Sequence, residues 1–245
     1  MVNTLFNYYS DDSKMKKISL TNNQLKIIAM LAMLSDHIGK VLLPQYQILQ
    51  IIGRLAFPIF AFMIAEGCFY TKNKVRYFLT VFLLGTGCQV VYLIAEKSLY
   101  QNILITFSLS IILIFCTENY KNKKYKTSGI ILSFAVSAVF IISILLPVIF
   151  INQGFVIDYG VCGVLLPLAI YYAPDKLRKL IYTAGILILL TLDLGGGIQW
   201  WSLLAIPLLA LYNQKRGKYN IKPLFYIFYP AHLVVIYLIS LFLNK

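Results

Sequence analysis

Histidine and cysteine are scarce in this chain, and so is negative charge. Only His37 and His232 occur in 245 residues, with no His-x-x-x-His pair, so the usual helical frame for a catalytic metal is missing and no metal is expected. Cys68, Cys88, Cys116 and Cys162 show no paired spacing; neither a disulfide frame nor a zinc site is indicated, and they read as small core residues. Charged residues make up 13% of the chain and hydrophobic ones 60%. That is more apolar surface than a soluble core of this length buries, and it points to an integral membrane protein. No repeat, low-complexity segment or long linker divides the sequence. A polar segment, residues 1–24, precedes a single membrane domain over 25–245. It contains no apolar run, so a cleavable signal peptide is not expected and the first span is read as a retained anchor.

The apolar runs bounded by polar breaks are 25–43, 48–70, 75–95, 101–117, 129–150, 159–173, 178–194, 199–212 and 224–243. They predict an all-α polytopic bundle of about nine transmembrane helices, within a range of eight to ten. Lysine and arginine fall in every second connection: Lys14, Lys16 and Lys17; Lys72, Lys74 and Arg76; Lys121, Lys123, Lys124 and Lys126; Lys176, Arg178 and Lys179; Lys215, Arg216, Lys218 and Lys222. The alternate connections contribute only Lys97. Because cytoplasmic loops retain positive charge, the N-terminus is expected in the cytoplasm and, with nine spans, the C-terminus outside. Orientation thus accounts for most of the net charge of +13, which leaves little reason to expect a nucleic-acid partner. The partner expected is the lipid bilayer of a cell membrane.

The run "LKIIAMLAMLSDHIGKVLLP" places Asp36 and His37 inside an apolar segment, where an ionisable group costs on the order of 2.5–3.5 kcal/mol. Lys26 precedes His37 by eleven positions, a rise of about 16 Å and a net rotation of about 20°. The two side chains therefore share a helix face. The next run brings Arg54 to the depth of Asp36 and Glu66 to that of Lys26. Two compensating layers follow, Asp36 with Arg54 and Lys26 with Glu66. Adjacent helical residues point apart, so any carboxylate partner of His37 is expected in Asp158 or Asp193. The ion pairs could equally do no more than fix helix register.

Six stretches carry a specific resemblance: "SDHIG" (35–39), "GRLAFPIFAFMIAEGCFYTKN" (53–73), "NILITFSLSI" (102–111), "DYGVCGVLL" (158–166), "LYNQKRG" (211–217) and "FYIFYPAHL" (225–233). In this order, and over nearly the whole chain, they resemble the TraX family of conjugal-transfer membrane proteins, whose best-known role is N-terminal acetylation of pilin subunits. One departure is Gln214, where the family loop usually reads Tyr-Asn-Gly-Lys-Arg-Gly. Lys26 and His37 are also similar to the Arg/Lys and His signature on the first helix of membrane acyltransferases that O-acylate cell-surface polysaccharides.

The resemblance implies an acetyltransferase that takes acetyl-CoA as acyl donor and passes the acetyl group to a pilin-like peptide, a glycan or a lipid. Lys26 would hold the donor's phosphates with Lys72, Lys215 or Arg216. His37 would act as general base or be acylated itself, and Arg54 would stabilise the oxyanion or simply neutralise Asp36. His232 reads either as a structural hydrogen-bonder or as a second catalytic or acceptor-binding group, alongside Asp158 and Asp193. Two other readings stay open: a secondary transporter with a pathway through Asp36, His37, Arg54 and Glu66, and a non-catalytic assembly subunit.

Overall fold

A computed structural model describes residues 19–97, 99–123 and 126–243. Lys14, Lys16, Lys17, Lys124 and Lys245, and with them most of the polar segment 1–24, lie outside the described residues. The described chain is helical, in eleven α-helices: α1 Asn22–Val41, α2 Gln47–Gly53, α3 Ala56–Tyr70, α4 Lys74–Glu96, α5 Ile103–Lys121, α6 Ser128–Phe140, α7 Leu146–Ile149, α8 Gly160–Tyr172, α9 Lys176–Asp193, α10 Ala205–Ala210 and α11 Lys222–Leu243. A π-turn, Ile141–Leu145, joins α6 to α7, and a 3-10 segment, Gly197–Leu204, leads into α10.

Local chemistry sets the helix starts. Thr21 and Gln24 close a capping box at α1, and Asn73, Asn102 and Asp175 accept from backbone amides at α4, α5 and α9. Each side-chain oxygen satisfies an amide that the first helical turn leaves without a partner. Every one of the nine apolar runs lies on one helical rod, but the run over 48–70 is broken at Arg54–Leu55 into α2 and α3. Five rods are long and apolar enough to cross a membrane: Gln47–Tyr70, Lys74–Ile94, Ile103–Lys121, Ser128–Ile149 and Pro223–Leu243. The rods Gly160–Tyr172 and Gly197–Ala210 are shorter, while α1 and α9 have the length but carry several charges each.

The centre of the bundle is α3 and α5. The spans containing them are each 56% buried, against 11% for Ser128–Ile149, whose Ile, Val and Phe side chains face outward. Phe107, Ile111 and Ile114 of α5 pack with Ile59 of α3 and with Leu166 and Ile170 of α8. α1 lies against α2, α3 and α11, and α11 also touches α4. Glycine permits the tightest of these approaches. A methyl group at Gly53 would stand 2.3 Å from Asp36 Cβ, and one at Gly39 would stand 2.8 Å from Leu49 Cβ, so α1 and α2 meet almost backbone to backbone.

The rods gather the basic connections at one end of the bundle. Leu20 N donates to Leu211 O (2.8 Å) and Asn213 N to Leu20 O (2.9 Å), tying the start of α1 to the loop after α10. Lys176 donates to the carbonyls of Ala210 and Tyr212, and Lys74 pairs with Glu118 at 2.7 Å. The opposite end is stitched by Gln101 N to Val156 O (2.7 Å) and Asp158 N to Gln101 O (3.0 Å).

Candidate functional site

At the basic end a cavity of about 500 Å³ opens between α1, α3, α4, α5, α11 and the loop at 212–216. Lys26, Glu66 and Arg216 line it together with Asn22, Tyr212 and Gln214. Its deeper wall is apolar and includes Phe60, Ile103 and Phe107. From Phe60 to Thr71 the lining follows α3 for eleven residues, about 16 Å of depth. Lys72 and Lys215 are exposed and are not among the lining residues. Of the four cations expected to hold a donor, two therefore share the cavity.

The inner layer differs from the Lys26–Glu66 pair expected from depth alone. Glu66 is buried and accepts from the Tyr212 hydroxyl, with Asn22 Nδ2 at 3.5 Å. Lys26 Nζ stands 5.6 Å from the centre of the Phe225 ring. Tyr212 competes successfully because a phenol satisfies a carboxylate at a smaller desolvation cost than an ammonium does.

In the outer layer Asp36 pairs with Arg54, and also with Lys40 at 2.5 Å. Arg54 donates further to Gln199 Oε1 and to Gln50 O, each at 3.3 Å. Its side chain is 11% exposed and that of Asp36 10%. Through these bonds to Asp36, Gln199 and the α2 backbone, Arg54 braces α1, α2 and the 3-10 segment. Neither it nor Asp36 hydrogen-bonds to His37.

His37 meets groups other than the carboxylates expected. Its Nδ1 lies 2.9 Å from Met33 O and its Nε2 3.2 Å from the Tyr92 hydroxyl. His232, buried on α11, places Nδ1 2.9 Å from Phe228 O and Nε2 3.4 Å from His37 Nδ1. The two rings are edge to face with centres 5.0 Å apart. Asp158 is engaged elsewhere, accepting from the Tyr100 hydroxyl and, through its carbonyl, from Thr106. It precedes α8 in a loop, where burial pushes its carboxyl up to about 6. Asp193 is exposed at the end of α9.

A smaller cavity of about 50 Å³ touches His37, Tyr92, Leu233 and Tyr237. Between the two cavities stands Tyr229, which lines the larger one and sits edge-on to His232 with ring centres 5.7 Å apart. Lys40, Tyr92, Tyr212 and Gln199 are the polar partners that sequence reasoning missed. Only Lys40 gave a local signal, since it follows Asp36 by one helical turn.

Fold and site together define a polytopic helical membrane protein with a polar-mouthed cavity at one end and a buried imidazole pair toward the other. The chain belongs to the TraX family, whose model, described as TraX protein, matches residues 21–240. It is similar to "Probable fimbrial assembly protein FimC, serogroup H1" of Dichelobacter nodosus, with 26% identity over 94% of this chain and 99% of that one. It also resembles "Uncharacterized protein RP591" of Rickettsia prowazekii (strain Madrid E), with 39% identity over 40% of this chain and 39% of the relative. No solved structure matches it.

Proposed function

We propose that the protein is a membrane acetyltransferase of the TraX type, moving an acetyl group from acetyl-CoA to an amine or hydroxyl of an exported or envelope-bound acceptor. The observation that carries this reading is the division of one helix between two tasks. α1 presents Lys26 to the large cavity and His37 to the small one. Lys26 and Arg216 are suited to phosphate oxygens at the mouth, and the apolar depth of the cavity suits a pantetheine arm. His37 Nδ1 faces a carbonyl, which can only accept, so Nδ1 carries the proton and Nε2 offers its lone pair as a base. Tyr229 marks where the thioester has to pass to reach it. The basic end faces the cytoplasm, where acetyl-CoA is found, in keeping with the distribution of Lys and Arg.

The test is turnover set against binding in purified protein. His37→Ala is expected to abolish acetyl transfer and acetyl-CoA hydrolysis while acetyl-CoA still binds. An active His37→Ala protein would remove the imidazole from the mechanism. A second reading, which the name of the Dichelobacter relative admits as well, is a part in fimbrial assembly; in its plainest form that part involves no catalysis. In that form no variant changes acetyl-CoA consumption, because there is none.

A further inference from the structure

Three helices bring titratable side chains into one chain of contacts beside the small cavity: Tyr92 of α4, His37 of α1 and His232 of α11. The proton positions in this chain follow from its two ends. Phe228 O can only accept, so His232 Nδ1, 2.9 Å away, carries a proton and its Nε2 is left with a lone pair. Met33 O imposes the same on His37 Nδ1, whose N–H lies between that carbonyl at 2.9 Å and His232 Nε2 at 3.4 Å. The Nε2 of His37 is then an acceptor, and the Tyr92 hydroxyl 3.2 Å away is its donor. One self-consistent direction results: Tyr92 O–H to His37 Nε2, and His37 Nδ1–H to His232 Nε2.

We propose that His37 and His232 form a directed dyad, in which Met33 O fixes His37 as the Nδ1–H tautomer, His232 is a positioning residue that holds the ring's orientation through the second branch of that N–H, and Tyr92 occupies the place of the acceptor's nucleophilic atom. The catalytic part rests on the acetyltransferase reading above; the tautomeric part does not. In the reaction the acceptor nitrogen or oxygen displaces the Tyr92 hydroxyl and attacks the thioester carbonyl. A bond from carbon to nitrogen or oxygen forms and the carbon–sulfur bond breaks. The acceptor's proton passes to His37 Nε2, giving an imidazolium whose Nδ1–H leans on His232 Nε2. That proton then goes from Nε2 to the leaving thiolate, so the products are an amide or ester and a free thiol, with no oxidant or reductant required. The role of His232 toward His37 matches the orienting part of a carboxylate behind a catalytic histidine, which acts without itself touching the substrate.

Because the chain has two histidines, full-length protein labelled with nitrogen-15 histidine and held in lipid nanodiscs gives signals from these two rings alone. Both are expected to be protonated at Nδ1 and bare at Nε2, with a nitrogen–nitrogen coupling across the hydrogen bond between them. An Nε2–H form of His37, or absence of that coupling, would overturn the dyad. His232→Leu should leave the tautomer that Met33 O imposes, free the ring to reorient, and lower acetyl-CoA hydrolysis by about 100-fold, within the usual range of acid–base contributions, with KM nearly unchanged. His232→Gln, whose carbonyl still accepts from His37 Nδ1, should recover most of that loss. Equal losses in two folded variants would deny His232 its positioning role. Expected tautomers beside an active His37→Ala protein would overturn the catalytic part of the dyad, and expected tautomers in an unaltered protein that consumes no acetyl-CoA would overturn the acetyltransferase reading alone.

Discussion

The two ends of the bundle handle charge in opposite ways. At the basic end Lys26 and Arg216 line an open cavity, and a buried carboxylate, Glu66, is satisfied by a phenol. At the other end Asp36, Arg54, Lys40 and Gln199 close on one another. Charge lines a cavity in the first case and is packed against its counter-charge in the second. Substitutions at the closed end should therefore act on stability, and those at the open end on binding.

The largest expected effect is at the Asp36–Arg54 pair, where removing one partner strands a buried charge at a cost of about 3–5 kcal/mol. The additional contact from Lys40 makes the pair asymmetric. Arg54→Gln leaves Asp36 with a partner, whereas Asp36→Asn leaves Arg54 with neutral acceptors only, so Asp36→Asn is expected to destabilise more. The double variant should lose less than the sum of the two. Thermal unfolding in detergent measures all three, and additive losses would mean that the contact contributes nothing.

Next come the cations of the open end. Lys26→Ala and Arg216→Ala should each weaken acetyl-CoA binding by roughly tenfold, the worth of a hydrogen bond to a charged group, and most visibly at low salt. Lys72→Ala and Lys215→Ala should leave it nearly unchanged, because neither side chain lines the cavity. Four equal losses, read by calorimetric titration, would erase the distinction between lining and surface lysines.

pH is expected to act through Asp158. The folded state holds the Asp158 carboxyl at about 6, above its ordinary 3.8, so its contribution to stability is complete below about pH 4 and is lost as pH rises through about 6. Stability should fall over that window by no more than about 1.4 kcal/mol per pH unit, and Asp158→Asn should remove this part of the fall. A pH profile that Asp158→Asn leaves unaltered would assign the dependence to other groups.

The smallest is Gln214→Gly. Gln214 has φ 59°, a conformation that costs a residue with a side chain about 1–2 kcal/mol and glycine almost nothing. Set against the extra freedom of glycine in the unfolded chain, the net gain should be about 0.5 kcal/mol. A fall in Tm would show that the contact of Gln214 with the cavity outweighs the backbone cost.

Helix positions were legible in the sequence because an apolar run bounded by Lys, Asn or Pro has few alternatives in a bilayer. The depths of Asp36 and Arg54 followed from counting residues at a fixed rise, and their pairing followed from depth. Partners that reach across the bundle were not legible. Tyr92 and Tyr212 stand among 18 tyrosines, and nothing in their neighbours distinguishes them from packing aromatics. Counting put Lys26 and Glu66 in one layer, on the wall of one cavity, but the hydroxyl that hydrogen-bonds Glu66 comes from a loop 146 residues beyond it. His37 and His232 were each marked out, whereas their contact depends on how α11 lies against α1.

Sequence separation also orders the events of synthesis. Asp36 and Arg54 are 18 residues apart, so the first charged helix can be neutralised while most of the chain is still to be made; His37 and His232 are 195 apart and meet only when the final helix enters the bundle. A nascent chain lacking α11 thus holds a charge-paired hairpin beside a histidine that has no second imidazole to face. Completion of the last helix is the step that assembles the imidazole pair.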